Sequence, residues 1–151
     1  MNPLKTPLPN LLLLGFAGLC LIIALTIAWV LGVSLFFTEG ALAARLVERD
    51  DIIRAHIDYL MMAQFLLLFF LGFRQYAIRA PYWLVGACSF GAFFNPLAFL
   101  MRGLTPKNPA ALAVEPHFPM QAALSFSLTT VGFLGAVALI ACAAWRSREG
   151  K

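Results

Sequence analysis

The sequence predicts an all-α integral membrane protein with four transmembrane helices in an antiparallel up-and-down bundle. Hydrophobic residues make up 62% of the 151 residues and charged residues only 12%, whereas soluble domains are about half apolar and about a quarter charged. The charges also gather between long uncharged runs, and each run is long enough to cross the roughly 30 Å hydrocarbon layer of a bilayer. We therefore expect a single membrane domain over residues 1–151.

The first two predicted helices cover residues 10–37 and 52–73. The first carries no charge and is too long for a signal-peptide core of about 7–15 residues, so we interpret it as a retained membrane helix. The second begins with charged residues. Asp50 and Arg54 lie four positions apart with the acid first, and Arg54 and Asp58 repeat this spacing in the reverse order, so we expect a ladder of ion pairs at its start.

The third and fourth predicted helices cover residues 82–101 and 120–145. The third contains Asn95 followed by Pro96. Proline lacks a backbone N–H and disturbs the hydrogen bond to the carbonyl four residues earlier, that of Ala92. An amide beside such a break is expected to face the bundle interior or a cavity, because lipid offers it no partner.

The distribution of charge predicts the topology and the partners. Four helices place both termini on one membrane side, with six Lys and Arg residues there and five on the other. This excess favours cytoplasmic termini, and we expect a multi-pass protein of a bacterial inner membrane. The net charge of +4 arises from loops and ends, which is typical of a lipid-embedded protein and not of a nucleic-acid partner. The three cysteines lie far apart without a C-x-x-C spacing and indicate neither a disulfide framework nor a zinc site.

His56 is the centre of the functional prediction. It lies near the start of the second helix, where an imidazole needs a hydrogen bond, a carboxylate, a metal or a haem iron as its partner. The other histidine, His117, precedes the fourth helix and is expected at the same membrane face. These two histidines make a zinc site only with help from Asp58 or Glu115. A single imidazole as axial ligand of a non-covalent haem needs fewer ligands, and a purely structural hydrogen bond is the alternative.

Ala63 lies two turns beyond His56 on one helical flank, together with Tyr59, Leu60 and Leu67. Its small side chain allows a flat ligand such as a porphyrin to lie against the helix. Ordinary helix packing accounts for the same pattern, so both interpretations stay open. Motifs for phosphate binding, for H-E-x-x-H metal ligation and for covalent C-x-x-C-H haem attachment are absent from the sequence.

Three short features resemble the styrene oxide isomerase family: Arg54-Ala55-His56 at the start of the second helix, Asn95 in the third, and Arg102-Gly103-Leu104-Thr105 after the third. The resemblance covers roughly residues 50–145. It implies a four-helix membrane enzyme that forms a homotrimer and holds haem b between subunits through His56. It also implies that ferric iron acts as a Lewis acid on an epoxide oxygen, so that the epoxide rearranges to an aldehyde without net redox change.

Two positions depart from the family's pattern. The family has an active-site asparagine six residues after its histidine, where this chain has Met62, and a tyrosine four residues after the asparagine of the third helix, where this chain has Phe99. Met62 and Phe99 are therefore expected to shape an altered pocket for a small hydrophobic substrate, with Asn95 as the polar group that is kept. Tyr59 is a candidate to supply a phenol for catalysis.

Three functions are compatible with the sequence. The first is a haem-b-dependent intramolecular epoxide isomerase with His56 as the axial ligand and an open sixth position on the iron. The second is a haem protein for sensing or electron transfer, in which His117 is the sixth ligand. The third is an accessory membrane subunit without a cofactor. The visible absorption spectrum of the purified protein distinguishes the three.

Overall fold

Four long helices make up most of the protein. The computed structural model describes residues 6–106 and 119–150, and these residues contain no strand. Each helix is long and apolar enough to cross a membrane, which confirms the predicted fold class. The helices are α1 (Leu8–Phe36), α2 (Arg49–Gln75), α3 (Tyr82–Leu104) and α4 (Met120–Arg148), and a short 3-10 helix (Ala43–Arg45) lies between α1 and α2.

The helix ends differ from the predicted ends for local electrostatic reasons. α2 begins at Arg49 and not at residue 52, because Asp50 and Asp51 in its first turn favour the positive end of the helix dipole. α3 and α4 end at Leu104 and Arg148, beyond the predicted ends, and arginine lies in the last turn of each, where a cation is favourable. α1 agrees with its prediction to within two residues.

The helices form an antiparallel series that is open between its first and last members. α1 packs mainly along α2 and over a smaller area against α3, whereas α4 packs mainly along α3. Among the described residues, α1 and α4 do not form a packed pair. α2 and α3 therefore form the centre of the protein, with α1 on one side and α4 on the other. α4 is the least enclosed helix, since its buried residues are Ser125, Gly132 and Ala136 alone.

Glycines bring α3 and α4 into close contact. A Cβ atom at Gly91 would lie 2.8 Å from the backbone of Thr129, and one at Gly132 would lie 2.8 Å from the backbone nitrogen of Cys88. These distances leave no room for a side chain at either position. In lipid, helices associate through van der Waals packing and interhelical hydrogen bonds, and small residues allow the backbones to approach. The two glycines thus set the separation of α3 and α4.

A buried asparagine ties the start of α1 to the turn between α2 and α3. The Asn10 amide donates to the carbonyl oxygen of Ile78 at 2.8 Å and accepts the backbone N–H of Ala80 at 3.1 Å. Ala77 in the same turn has a φ of 51°, in the left-handed region. Asn10 therefore satisfies two backbone groups of an irregular turn that helical hydrogen bonds do not reach.

Replacing Gly132 with leucine is expected to lower the free energy of unfolding by about 1–3 kcal/mol, the usual cost of overpacking. The side chain would meet the backbone of α3 and force the two helices apart. Gly18→Leu is the matched control, because a Cβ at Gly18 meets no atom within 4 Å. Thermal unfolding in detergent, followed by circular dichroism, measures both. Equal stability of the two variants would contradict the close α3–α4 contact.

Candidate functional site

His56 lies at the seam between α2 and α1 and is half-buried. Its Nδ1 atom is 2.9 Å from the carbonyl oxygen of Ala24. Because a carbonyl only accepts, Nδ1 carries a proton and donates it, and in a neutral imidazole with this tautomer the lone pair lies on Nε2. Nε2 has no hydrogen-bond partner within residues 6–106 and 119–150. A ring held through one nitrogen, with the other free to bind, has the arrangement of metal-ligating histidines.

The residues beside His56 in the sequence are of both kinds. Ile53 and Ile57 are apolar and exposed, whereas Arg54 is charged and exposed and Asp58 is half-buried. On α1, a shallow concave surface of about 540 Å³ begins directly after Ala24. It is lined by Leu25, Ala28, Trp29, Gly32, Val33, Phe36 and Phe37. All of these residues belong to α1 or directly follow it, and His56 is not among them.

Tyr59, predicted as a possible catalytic phenol, is fully buried. Its hydroxyl donates to the carbonyl oxygen of Phe93 in α3 at 3.1 Å, and its ring meets the Phe93 ring edge-on with centroids 6.4 Å apart. The phenol proton is therefore engaged in a contact between α2 and α3. Ala63 also lies in the packed core, with 6% exposure, whereas Leu67 at the end of the same flank is exposed.

Tyr59 bonds to the backbone of α3 close to Pro96. The carbonyl of Ala92 lacks its usual N–H donor from position 96, and the Sγ atom of Cys20 in α1 lies 3.9 Å from it. Tyr59 binds the next carbonyl, that of Phe93. α1 and α2 thus each contribute a side-chain donor beside the backbone that the proline disturbs.

Asn95 lies on the face of α3 that points towards α4. Gly91 and Cys88, which share this face at helical spacing, contact Thr129 and Gly132 of α4. Asn95 is half-buried, and its amide makes no hydrogen bond to another side chain or to the backbone in the described part of the chain. Its donors and acceptor are therefore available to a partner on the α4 side.

Met62 and Phe99, predicted to shape the substrate pocket, belong to the same side as Asn95. Met62 is 8% exposed and precedes Phe65 by one turn. The ring centroid of Phe65 lies 5.5 Å from that of Phe133 in α4. Phe99 follows Asn95 by one turn, and its ring is half-buried. α2 and α3 thus present these three residues towards α4.

The predicted site residues are divided within one protomer. His56 faces α1 through its contact with Ala24, whereas Met62, Asn95 and Phe99 lie on the side of α4. The described parts of α1 and α4 do not pack against each other. Helical spacing therefore places the three residues predicted to form the pocket on one side of the central pair of helices and the imidazole on the other.

Sequence reasoning missed a bidentate ion pair at the start of α2. The carboxylate of Asp51 accepts hydrogen bonds from Nε of Arg102 at 2.5 Å and from Nη2 at 2.6 Å. The Asp51 side chain is 11% exposed. Arg54, predicted to pair with Asp50 and Asp58, instead has its Nη1 atom 3.9 Å from Asp51. No local spacing predicts the pair, because its partners lie on different helices.

Gly103 completes this junction between α2 and α3. Its carbonyl accepts the backbone N–H groups of Val47 and Glu48, both at 3.1 Å. A Cβ atom at Gly103 would lie 2.7 Å from Cγ1 of Ile52, so only glycine fits. The Arg102 guanidinium also lies over the Phe99 ring, 5.0 Å from its centroid. The segment after Asn95 that resembles the isomerase family therefore anchors the end of α3 to the start of α2.

His117 lies outside the described residues, so its position relative to His56 stays a prediction. Within residues 6–106 and 119–150, no group of three or more His, Cys, Asp and Glu side chains is placed to hold a metal ion. Comparisons of the chain with known protein families, with curated proteins and with solved structures gave no match. Function is therefore inferred from the chemistry of the residues.

Replacing Arg102 with methionine is expected to lower the free energy of unfolding by about 1.5–3 kcal/mol, since it removes two charge-assisted hydrogen bonds from a buried carboxylate. Arg54→Met is the control, because its side chain is 63% exposed and exposed ion pairs are worth less than about 1 kcal/mol. Chemical denaturation in mild detergent measures both variants. If they lose equal stability, the Asp51–Arg102 pair does not have the structural importance given to it here.

Proposed function

We propose that the protein is a haem-b-dependent membrane isomerase of the styrene oxide isomerase type, with His56 as the axial ligand of the iron. The observation that carries this proposal is the hydrogen bond from His56 Nδ1 to the carbonyl oxygen of Ala24. It places the proton on one ring nitrogen and leaves the other as a ligand. A structural histidine makes the same contact, and the haem content of the purified protein distinguishes the two roles.

The residues around His56 suit a non-covalent haem. The carbonyl partner of Nδ1 orients the ring and raises the basicity of Nε2 towards a metal. Two of the exposed side chains beside it, Ile53 and Ile57, are apolar and match the faces of a porphyrin, and the exposed Arg54 is a partner for a haem propionate. Haem b needs only one protein ligand to be held in this way, and His56 provides it.

The proposed reaction converts a small hydrophobic epoxide to an aldehyde. When bound, ferric haem supplies a Lewis acid that polarises the epoxide oxygen. The rearrangement conserves every atom and electron, so it needs no reductant and no second substrate. Asn95 orients the substrate through its amide, which is free of hydrogen bonds to the described residues, while Met62 and Phe99 form apolar walls. Tyr59 acts as a positioning residue, since its hydroxyl holds the backbone of α3.

A homo-oligomer unites the two halves of the proposed site. When two different faces of identical chains meet head to tail, the repeated contact forms a ring if the rotation between the chains closes and an open filament if it does not. His56 lies on the α1 side of the protomer and Asn95 on the α4 side, so these are two such faces. α4 buries few of its residues within the protomer and leaves an apolar surface for this contact. We take three protomers from the resemblance, with the α4 side of one against the His56 side of the next.

Purified protein is expected to carry haem b that acidified organic solvent extracts, and His56→Ala is expected to abolish it. The loss follows because His56 is the one histidine in the described part of the chain and is the proposed iron ligand. His117→Ala is the matched control and should keep its haem. Absorption spectroscopy measures both, and a high-spin ferric spectrum is expected for an open sixth position.

Two outcomes would contradict this assignment. A wild-type Soret band in the His56→Ala protein shows that the ligand lies elsewhere. A low-spin bis-imidazole spectrum that His117→Ala converts to high spin favours the sensing or electron-transfer function. Exogenous imidazole should restore haem binding to the His56→Ala protein, which separates a lost ligand from a lost fold.

Ferric protein is expected to convert an aryl or small alkyl epoxide to the aldehyde, and dithionite should suppress the reaction because ferrous iron is the weaker Lewis acid. Met62→Asn with Phe99→Tyr should raise the rate on styrene oxide. Each well-placed hydrogen-bonding group is worth about 100-fold, judged from single oxyanion-hole deletions. Gas chromatography of the aldehyde measures the rate. If the double variant keeps its haem and is inactive on every epoxide tested, the isomerase function is wrong.

Subunit mixing tests the division of the site between protomers. His56→Ala and Asn95→Ala chains are each expected to be inactive as homo-oligomers. When the two are expressed together, some contacts join an intact His56 to an intact Asn95, so part of the activity should return. Mixed oligomers that stay inactive would show that both residues must belong to the same protomer.

A further inference from the structure

A groove of about 720 Å³ lies between the last turns of α4 and the segment where α2 ends and turns towards α3. That segment contributes residues 75–78 to the lining, and α4 contributes Leu139, Cys142, Ala143, Arg146 and Ser147. The hydrogen bonds of Asn10 to Ile78 and Ala80 hold the turn in place. The groove is therefore a feature of the folded chain at the membrane face where α2 and α4 end.

Positive charge surrounds this groove. Arg146 lines it, and Arg74 and Arg79 flank residues 75–78 in the sequence. All three are exposed, and none makes an ion pair within residues 6–106 and 119–150. Glu149, the one described acid at this membrane face, accepts a hydrogen bond from the Trp145 indole at 2.8 Å. The negative ends of α2 and α4 carry only about half a charge each, so three arginines leave the groove positive.

The groove also lies at the depth of the lipid headgroups. α4 has 29 residues and is about 43 Å long, so it exceeds the roughly 30 Å hydrocarbon layer. Arg146 and Arg148 lie in its last turn. The exposed Trp145 lies beside them, and tryptophan is enriched where a membrane helix meets water. A ligand of the groove is therefore a component of the membrane surface or an ion from the water next to it.

The lining changes from polar to apolar towards the membrane. Gln75 and Tyr76 have side-chain donors that make no hydrogen bond to the described residues 6–106 and 119–150. Cys142 and Leu139 precede Arg146 by one and two turns on the same face of α4. An anionic group beside Arg146 would thus continue into an apolar wall. This sequence of polar and apolar surface matches a phospholipid, whereas a soluble anion uses only the polar end.

We propose that this groove binds an anionic phospholipid, with its phosphodiester beside Arg146 and the first part of an acyl chain along Cys142 and Leu139. A guanidinium binds phosphate oxygens through two parallel hydrogen bonds, and basic pockets between transmembrane helices bind anionic headgroups. A zwitterionic lipid has the same phosphate and chains, but its own cation is repelled by the arginines. The inference depends on this groove alone and holds whether or not the protein binds haem.

The test titrates full-length protein in mild detergent with dioleoylphosphatidylglycerol or dioleoylphosphatidylcholine and counts bound lipids by native mass spectrometry. The acyl chains are identical, so a difference in affinity reports the headgroup. Each arginine near a membrane surface is worth about five-fold in the affinity for an anionic lipid. Wild-type protein is therefore expected to bind its first phosphatidylglycerol roughly ten-fold more tightly than phosphatidylcholine, or better.

Arg146→Gln is expected to lower the affinity for phosphatidylglycerol about five-fold. Arg148→Gln is the matched control, because it removes the same charge from the same turn of α4 but lies outside the lining, and it should keep the preference. Cys142→Trp should abolish the preference by filling the groove, whereas Ala141→Trp, at a neighbouring exposed position outside the lining, should not. His56→Ala should bind the lipid normally, so failure of the isomerase function leaves this result intact.

Equal affinity of the wild-type protein for the two lipids overturns the inference. An equal loss in Arg146→Gln and Arg148→Gln also overturns it, since the general charge of this face then attracts the lipid. Displacement of phosphatidylglycerol by inorganic phosphate would show a site for a soluble anion and contradict the lipid assignment. All four substituted positions on α4 are exposed, so these variants should unfold at the wild-type temperature, and a change in lipid binding is not a loss of fold.

Discussion

Hydrocarbon offers no hydrogen bonds, so the protein itself must satisfy every polar group within its membrane helices. Asn10 joins α1 to the turn between α2 and α3. Arg49 at the start of α2 reaches the hydroxyl of Ser34 and a backbone carbonyl near the end of α1. His56 binds the backbone of α1 and Tyr59 that of α3. Each contact joins two parts of the chain, so a small number of polar residues determines which helices are neighbours.

The fold class follows from composition because the bilayer restricts what an apolar chain can form. A run long enough to span the hydrocarbon has to be helical, and short connectors make successive helices antiparallel neighbours. The ion pair of Asp51 with Arg102 was beyond such reasoning, because 51 positions separate its partners. The local spacing of Asp50 and Arg54 suggested another pair, but a local pair contributes only about 0.2–0.5 kcal/mol. A buried bidentate contact outweighs it.

The residues of the candidate site remain predictions from the sequence, and their arrangement was not predictable from it. His56 was evident from its residue type and its place at the start of a membrane helix. The helical wheel placed it on one flank with Tyr59 and Ala63. A helical wheel gives the direction of each side chain around one helix, but it does not show which neighbouring helix that side chain contacts. Tyr59 and Ala63 meet the core, whereas His56 lies at its edge. Only the packing of α4 on α3 shows that Asn95 belongs to the opposite side.

The exposed apolar face of α4 does not by itself indicate an oligomer, because lipid covers such a face as well as protein does. The polar groups in the membrane helices are stronger evidence for an oligomer. Nε2 of His56 and the amide of Asn95 both lie in membrane-spanning helices, and neither has a hydrogen-bond partner in the part of the chain that the structure describes. They face opposite sides of one protomer. Because hydrocarbon offers these two groups no hydrogen bond, they favour partners outside the protomer. In the proposed assembly, a cofactor is the partner of the imidazole, and a neighbouring chain brings its amide to that cofactor.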